Sequence, residues 1–284
     1  MFDASWSMTE CADGMQTLGG DPRCMTGPSR WARTSEALIE FIEDPDAAGL
    51  GVALRFFPSD LPTAGCDGYP SGTMFGGSGG ATNFGFGGAP GLSGASGSGG
   101  ASGSGGAGNA GTAGKSGLLG TNCDLDACAV PLVPLARLSA EAAPADNQEA
   151  ALVAAIRANG PPDVASLNPD PGTPTSAALG GAAKWASAYE AAHPNETTAI
   201  VLVTDGEPQG CDANISDIAA IVQNAYTKSG VRTYVIGLSG SNETELNQLA
   251  VAGNTQHAFL VSDGSTVTQD LLASLTAIRR GAAP

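Results

Sequence analysis

Thr197–Gly206, TTAIVLVTDG, is the stretch on which the fold turns: four apolar residues, Ile200 to Val203, follow Ala199, and the run stops at Asp205 and Gly206. Such a run, rich in β-branched residues, has no polar face to turn to water. It reads as a strand buried on both sides, which is the environment of a parallel sheet covered by helices. The sequence after it alternates in keeping with that reading. A helix is expected near 215–228, a strand at VRTYVIGL (231–238), a helix near 243–252, a strand at HAFLV (257–261) and a helix near 267–279.

Upstream, SRWARTSEALIEFIEDP (29–45) places Trp31, Leu38, Ile39, Phe41 and Ile42 at helical spacing, with Ser29 as N-cap and Pro45 past the end. GVALRFFP (51–58) reads as a buried strand. CAVPLVPL (128–135) reads as an edge strand, since Pro131 and Pro134 cannot both sit in a central ladder. Helices follow at about 145–158 and 174–192, the second with Pro174 in its first turn. The fold class expected is therefore α/β: a doubly wound, mostly parallel central sheet flanked by helices.

The 284 residues are read as one domain over 1–280, interrupted by a Gly/Ser/Ala-rich insertion at 68–118. From Gly68 to Gly114 there is no charged residue, and ASGSGG occurs twice, at Ala95 and Ala101. That composition buries too little apolar surface to offset the entropy of ordering it, so a flexible loop is expected.

Twelve Lys and Arg against 28 Asp and Glu give a net charge of −16, which excludes nucleic acid and anionic membrane surfaces as natural partners. No apolar run is long enough to span a bilayer. Six cysteines stand in the chain with no CxxC pair, and five lie in polar or Gly-containing stretches. Disulfides in an oxidising compartment are expected, hence a secreted or cell-surface protein, although Met1 is followed by neither the basic nor the apolar segment of a signal peptide.

In open α/β sheets, chemistry sits beyond the carboxyl ends of strands. Three segments there are rich in oxygen: DASWS at Asp3–Ser7, PGTPTS at Pro171–Ser176 and VTDGEP at Val203–Pro208. If Asp3, Ser5 and Ser7 lie on an extended turn, the period of two points them to one side. Thr173 adds a hydroxyl and Asp205 a second carboxylate. Two carboxylates with several hydroxyls, and neither Cys nor His, suit a hard cation: Mg²⁺, Mn²⁺ or Ca²⁺.

This combination resembles the von Willebrand factor type A (VWA) domain, whose metal ion-dependent adhesion site follows DxSxS, then a Thr, then an Asp. The resemblance implies a Rossmann-like VWA fold with Asp3, Ser5, Ser7, Thr173 and Asp205 as the metal site and Thr175 as second choice to Thr173. In that family the serines and the Thr bind the cation directly, and the aspartates often act through water. The family's first motif closes a central strand of about five or six apolar residues. Here only Met1 and Phe2 precede Asp3, so the strand is expected to begin upstream of the given start, which would also remove a leader. Cys11 and Cys24 bracket a polar loop just after the first motif and are candidates to pair; the pairing of the other four stays open.

The function expected is a non-enzymatic, metal-dependent binding module that presents a divalent cation to a carboxylate of a protein partner. Two rivals remain. One is a metal-dependent hydrolase of phosphate esters, for which no general base and no Lys or Arg clamp is evident beside the ligands. The other is a structural domain with a vacant site. His193 and His257 lack a nucleophile nearby, and GLSGSN (237–242) lacks the spacing and Lys of a phosphate loop.

Overall fold

The structure, a computed structural model, describes residues 1–12, 24, 27–58, 123, 125–161, 172–262 and 264–282. The insertion at 68–118 lies outside them. In chain order the elements are β1 (Phe2–Asp3), a 3₁₀ turn (Trp6–Thr9), α1 (Arg30–Ile42), β2 (Gly51–Leu54), β3 (Phe56–Phe57), α2 (Leu125–Cys128) and β4 (Val133–Arg137). They continue with α3 (Asn147–Ala158), α4 (Thr175–Ala192), β5 (Ala199–Thr204), α5 (Ile215–Ser229), β6 (Arg232–Gly237), α6 (Glu243–Ala252), β7 (Phe259–Leu260) and α7 (Val267–Ala282).

Five strands form one parallel sheet in the order β3-β1-β5-β6-β7. Its backbone is the β5–β6 ladder, in register from Ala199↔Arg232 to Thr204↔Gly237. The expected α/β architecture is thus present, and β5 is the strand from which the reading began. Side chains along it alternate between layers, as a strand must. Val201 and Val203 pack with α1, α3 and α7 residues such as Phe41, Ile156 and Leu271, whereas Ile200 and Leu202 pack with Leu179, Ile218 and Leu249 of α4, α5 and α6.

Two expectations shift in detail. The 51–58 run is two strands, because β2 pairs antiparallel with β4 in a separate two-stranded sheet, with an irregularity between Val52 and Leu54, and after Leu54 the chain enters the parallel sheet as β3. The proline-containing edge strand starts at Val133 and not at Cys128, which belongs to α2. A glycine permits that short helix to dock: a Cβ on Gly181 of α4 would lie 2.3 Å from the Cys128 carbonyl carbon. Helix starts follow capping chemistry. Ser29 accepts from Ala32 N–H, and Asp146, Asn214 and Asn242 cap α3, α5 and α6. Pro174 stands just before the first helical residue of α4, one place earlier than expected.

β1 pairs at only two positions with β3 and at one with β5. It is held mainly by an aromatic cluster, in which the Phe2 ring lies 5.1 Å from Trp31 and 5.9 Å from Phe56 between centroids. Met1 extends the ladder, its nitrogen donating to Val201 O and its oxygen accepting from Val203 N. Beyond that point β2 and β5 face each other across an apolar cavity of about 610 Å³ bordered by Phe41, Leu50, Val52, Trp185, Val201 and Ile278.

Each bordering strand segment, 51–54 and 199–202, would span roughly 13 Å, so the space fits about four extended residues. Four β-branched apolar residues joined ahead of Met1 are expected to raise the melting temperature above that of a Gly-Ser extension of equal length. At the midpoints of their ranges, burial at about 1.5–3 kcal/mol per side chain outweighs a backbone ordering cost of about 1–2 kcal/mol per residue, and side-chain ordering narrows the surplus. Each kcal/mol gained should shift the midpoint by about 2–4 °C. Equal melting of the two proteins would show that the cavity does not accept a strand.

Candidate metal centre

β1 and β5 are neighbours, but the chain leaves β1 toward β3 on one side and leaves β5 toward β6 on the other. That reversal makes a crevice at the carboxyl ends of the two strands, and these ends carry Asp3 and Asp205. All five residues singled out from the sequence border this crevice or the loops that close it.

Asp3 is fully buried. Its Oδ1 accepts from Ser5 N at 2.8 Å, a side-chain-to-backbone turn that swings the chain out of β1. Its Oδ2 accepts from the Thr204 hydroxyl at 2.6 Å. After Ser5 the backbone enters the 3₁₀ turn at Trp6–Thr9, and Ser5 Oγ and Ser7 Oγ meet at 3.0 Å. The two serines therefore converge through an Asp-anchored turn followed by a helical turn, not through the alternation of an extended segment.

Thr173 lies buried in the loop before α4. Its carbonyl accepts from Thr175 N at 2.7 Å and from Gln209 N at 2.8 Å, which ties this loop to the segment following β5. Gly172 takes a left-handed φ of 65°, and a Cβ there would come within 2.9 Å of Gln209 Cβ. The Thr175 hydroxyl donates to Thr173 O at 3.3 Å and is thereby engaged in turning the loop. The Thr173 hydroxyl instead faces Gly206: a Cβ on Gly206 would stand 3.0 Å from Thr173 Oγ1 and 3.7 Å from Ser7 Oγ. Glycine at 206 leaves open the space that borders both hydroxyls.

Asp205 is buried, and its Oδ1 accepts from Ser7 Oγ at 2.6 Å. Its Oδ2 accepts from Arg30 Nη1 at 3.1 Å, and the same nitrogen lies 2.9 Å from Glu10 Oε2. Burial, reinforced by the nearby Asp3 charge, pushes the Asp205 carboxyl up to about 7, against the pull of Ser7 and Arg30. Burial likewise raises Asp3, partly offset by its bonds from Thr204 and Ser5. Two carboxylates are thus held together where neither ionises easily, and a compact divalent charge would relieve both.

The donor set fits such a cation: two carboxylates and three hydroxyls, all hard oxygen. Among the described residues no group of three or more His, Cys, Asp or Glu gathers to hold a metal, in this crevice or elsewhere. Cys11 pairs with Cys24, as the sequence suggested, and Cys123 pairs with Cys211, linking a position five residues past the insertion to the loop after β5. His193 stacks on Tyr189 and His257 lies against Phe259, so neither is part of the site.

Sequence reasoning missed Thr204, Gly206, Glu10 and Arg30. Thr204 ends an apolar strand as a buried polar residue, which needs a partner inside. Arg30 opens α1, where the positive end of the helix dipole disfavours a cation, and that placement was the available signal for anionic partners. The expectation that no Arg stands beside the ligands is corrected: Arg30 does, brought there by the packing of α1.

Residues 163–273 match the family model of the von Willebrand factor type A domain. The match includes Thr173 and Asp205 and leaves Asp3, Ser5 and Ser7 outside. No curated protein matches the chain. This segment of the chain is thus similar to a VWA domain, and the parallel sheet with its flanking helices is consistent with the fold of that family. Among the described residues no helix is long and apolar enough to cross a membrane.

Proposed function

We propose that the protein is a non-enzymatic binding module that holds Mg²⁺, Mn²⁺ or Ca²⁺ at the crevice between β1 and β5 and offers it to a carboxylate of a protein partner. The observation that carries this reading is the burial of Asp3 and Asp205 at one switch point with the hydroxyls of Ser5, Ser7 and Thr173 around them. Ser5, Ser7 and Thr173 would hold the cation by their hydroxyls, with Asp3 and Asp205 balancing its charge. When bound, the cation supplies a Lewis-acidic centre with room for one outside oxygen ligand. The hydrolase reading is weaker because Arg30, the cation nearest the cluster, is engaged by Glu10 and Asp205. The disulfides fit an oxidising compartment, and we place the protein at the cell surface or outside the cell.

The test is calorimetric. Chelator-stripped protein is titrated with Mn²⁺ and with Mg²⁺, then with a short peptide carrying a single Glu and with its Gln counterpart. Binding of the Glu peptide only in the presence of metal is expected. Equal binding of both peptides with and without metal would overturn the reading, and metal-dependent turnover of a phosphate ester would replace it with the hydrolase.

A further inference from the structure

Arg30 joins the two halves of the ligand cluster. Its backbone N–H donates to Glu10 O at 2.8 Å, which fixes the start of α1 to the loop carrying Ser5 and Ser7. Its side chain is 10% exposed and spans from Glu10 Oε2, at 2.9 Å, to Asp205 Oδ2, at 3.1 Å. Gly240, in the turn between β6 and α6, has a φ of 100°, and a Cβ there would stand 3.4 Å from Arg30 Nη1 and 3.0 Å from Asp205 O. That turn therefore closes over the guanidinium and confines it. A buried guanidinium needs anionic partners, and among those of Arg30 Asp205 is wholly buried while Glu10 is 41% exposed.

We propose that Arg30 is the site's internal counter-cation: it competes with the divalent ion for Asp205 and so sets the strength of metal binding, and Glu10 moderates it by drawing the guanidinium away from Asp205. This inference rests on the metal-binding reading above. The reason is electrostatic. A single positive charge held against Asp205 stabilises the carboxylate when no metal is present, and it repels a second cation seeking the same carboxylate, in a setting where charges interact more strongly than in water. Glu10 carries the opposite charge to the same guanidinium, so its removal leaves Arg30 more tightly on Asp205.

The two residues are thus expected to act with opposite sign, which loss of packing alone would not produce. Free Mn²⁺ is measured by electron paramagnetic resonance at pH 8 in wild type, Arg30→Met and Glu10→Gln. Arg30→Met is expected to bind Mn²⁺ about tenfold or more tightly than wild type, and Glu10→Gln several-fold more weakly. In parallel, the metal-free Arg30→Met protein should melt lower than wild type, and the gap between its metal-free and Mn²⁺-loaded melting temperatures should widen.

If wild type takes up no Mn²⁺, the metal-binding reading fails. If wild type binds but Arg30→Met binds no more tightly, or Glu10→Gln no more weakly, the counter-cation role alone is overturned. Should Arg30→Met fail to fold, the Glu10→Gln arm decides the matter, since Glu10 is a half-exposed residue whose amide keeps its shape.

Discussion

Asp205→Ala is expected to weaken Mn²⁺ binding by about 100-fold, the upper range for losing a group that orients or ligates a metal. Three effects coincide. One of the two buried carboxylates of the crevice disappears, the Ser7 hydroxyl loses its 2.6 Å acceptor, and Arg30 loses its buried partner while keeping Glu10. The charge-neutral isostere separates these effects. Asp205→Asn keeps an oxygen for Ser7 and nearly the same volume, so it should fold as wild type does and still lose metal binding. Titration of all three proteins with Mn²⁺ checks this, and wild-type affinity in the Asn variant would remove Asp205 from the ligand set.

The stripped protein is expected to be more stable at pH 5.5 than at pH 8. Unfolding returns Asp205 to its ordinary value near 3.8, whereas in the folded chain it stands at about 7. Between those values the folded state holds more protons than the unfolded one, so stability falls as pH rises from about 4 to about 7 and levels off above that range. Asp3 is raised as well and acts with the same sign. For Asp205 alone the loss between pH 5.5 and pH 8 is about 2 kcal/mol. In a domain of this size that corresponds to roughly 4–8 °C. Mn²⁺ or Mg²⁺ favours the ionised carboxylates and should restore the midpoint at pH 8 while changing little at pH 5.5. Thermal unfolding with chelator and with metal, at both pH values, measures the effect, and Asp205→Asn should flatten the slope. A stripped protein that is more stable at pH 8 would mean that the two carboxylates are not penalised by their burial.

Most of the fold was legible because its signals are local. TTAIVLVTDG had to be covered on both faces, and the periodic segments after it had to supply the cover, so β5, α5, β6, α6, β7 and α7 fall where periodicity placed them. The segment around β2 and β3 was less legible, since one apolar run reads alike whether it feeds one sheet or two. Only the pairing of Gly51 with Arg137 and of Phe2 with Phe56 distinguishes these cases. The oxygen-bearing triad at the start of the chain was read from its residue types, but the reason that Ser5 and Ser7 converge is the turn anchored on Asp3, which alternation did not foresee.

By itself the sequence determined which elements form and which oxygen-bearing residues stand at strand ends, because both follow from the order of apolar and polar residues along a short stretch. The tertiary structure decided which of those residues share a crevice and which charge faces them. Asp3 and Asp205 meet because β1 inserts beside β5, and Thr204, Glu10 and Arg30 enter the site only through that packing. The strength of a buried charge depends on its neighbours in space, and here those neighbours lie 175 residues apart for Arg30 and Asp205 and 201 for Thr204 and Asp3.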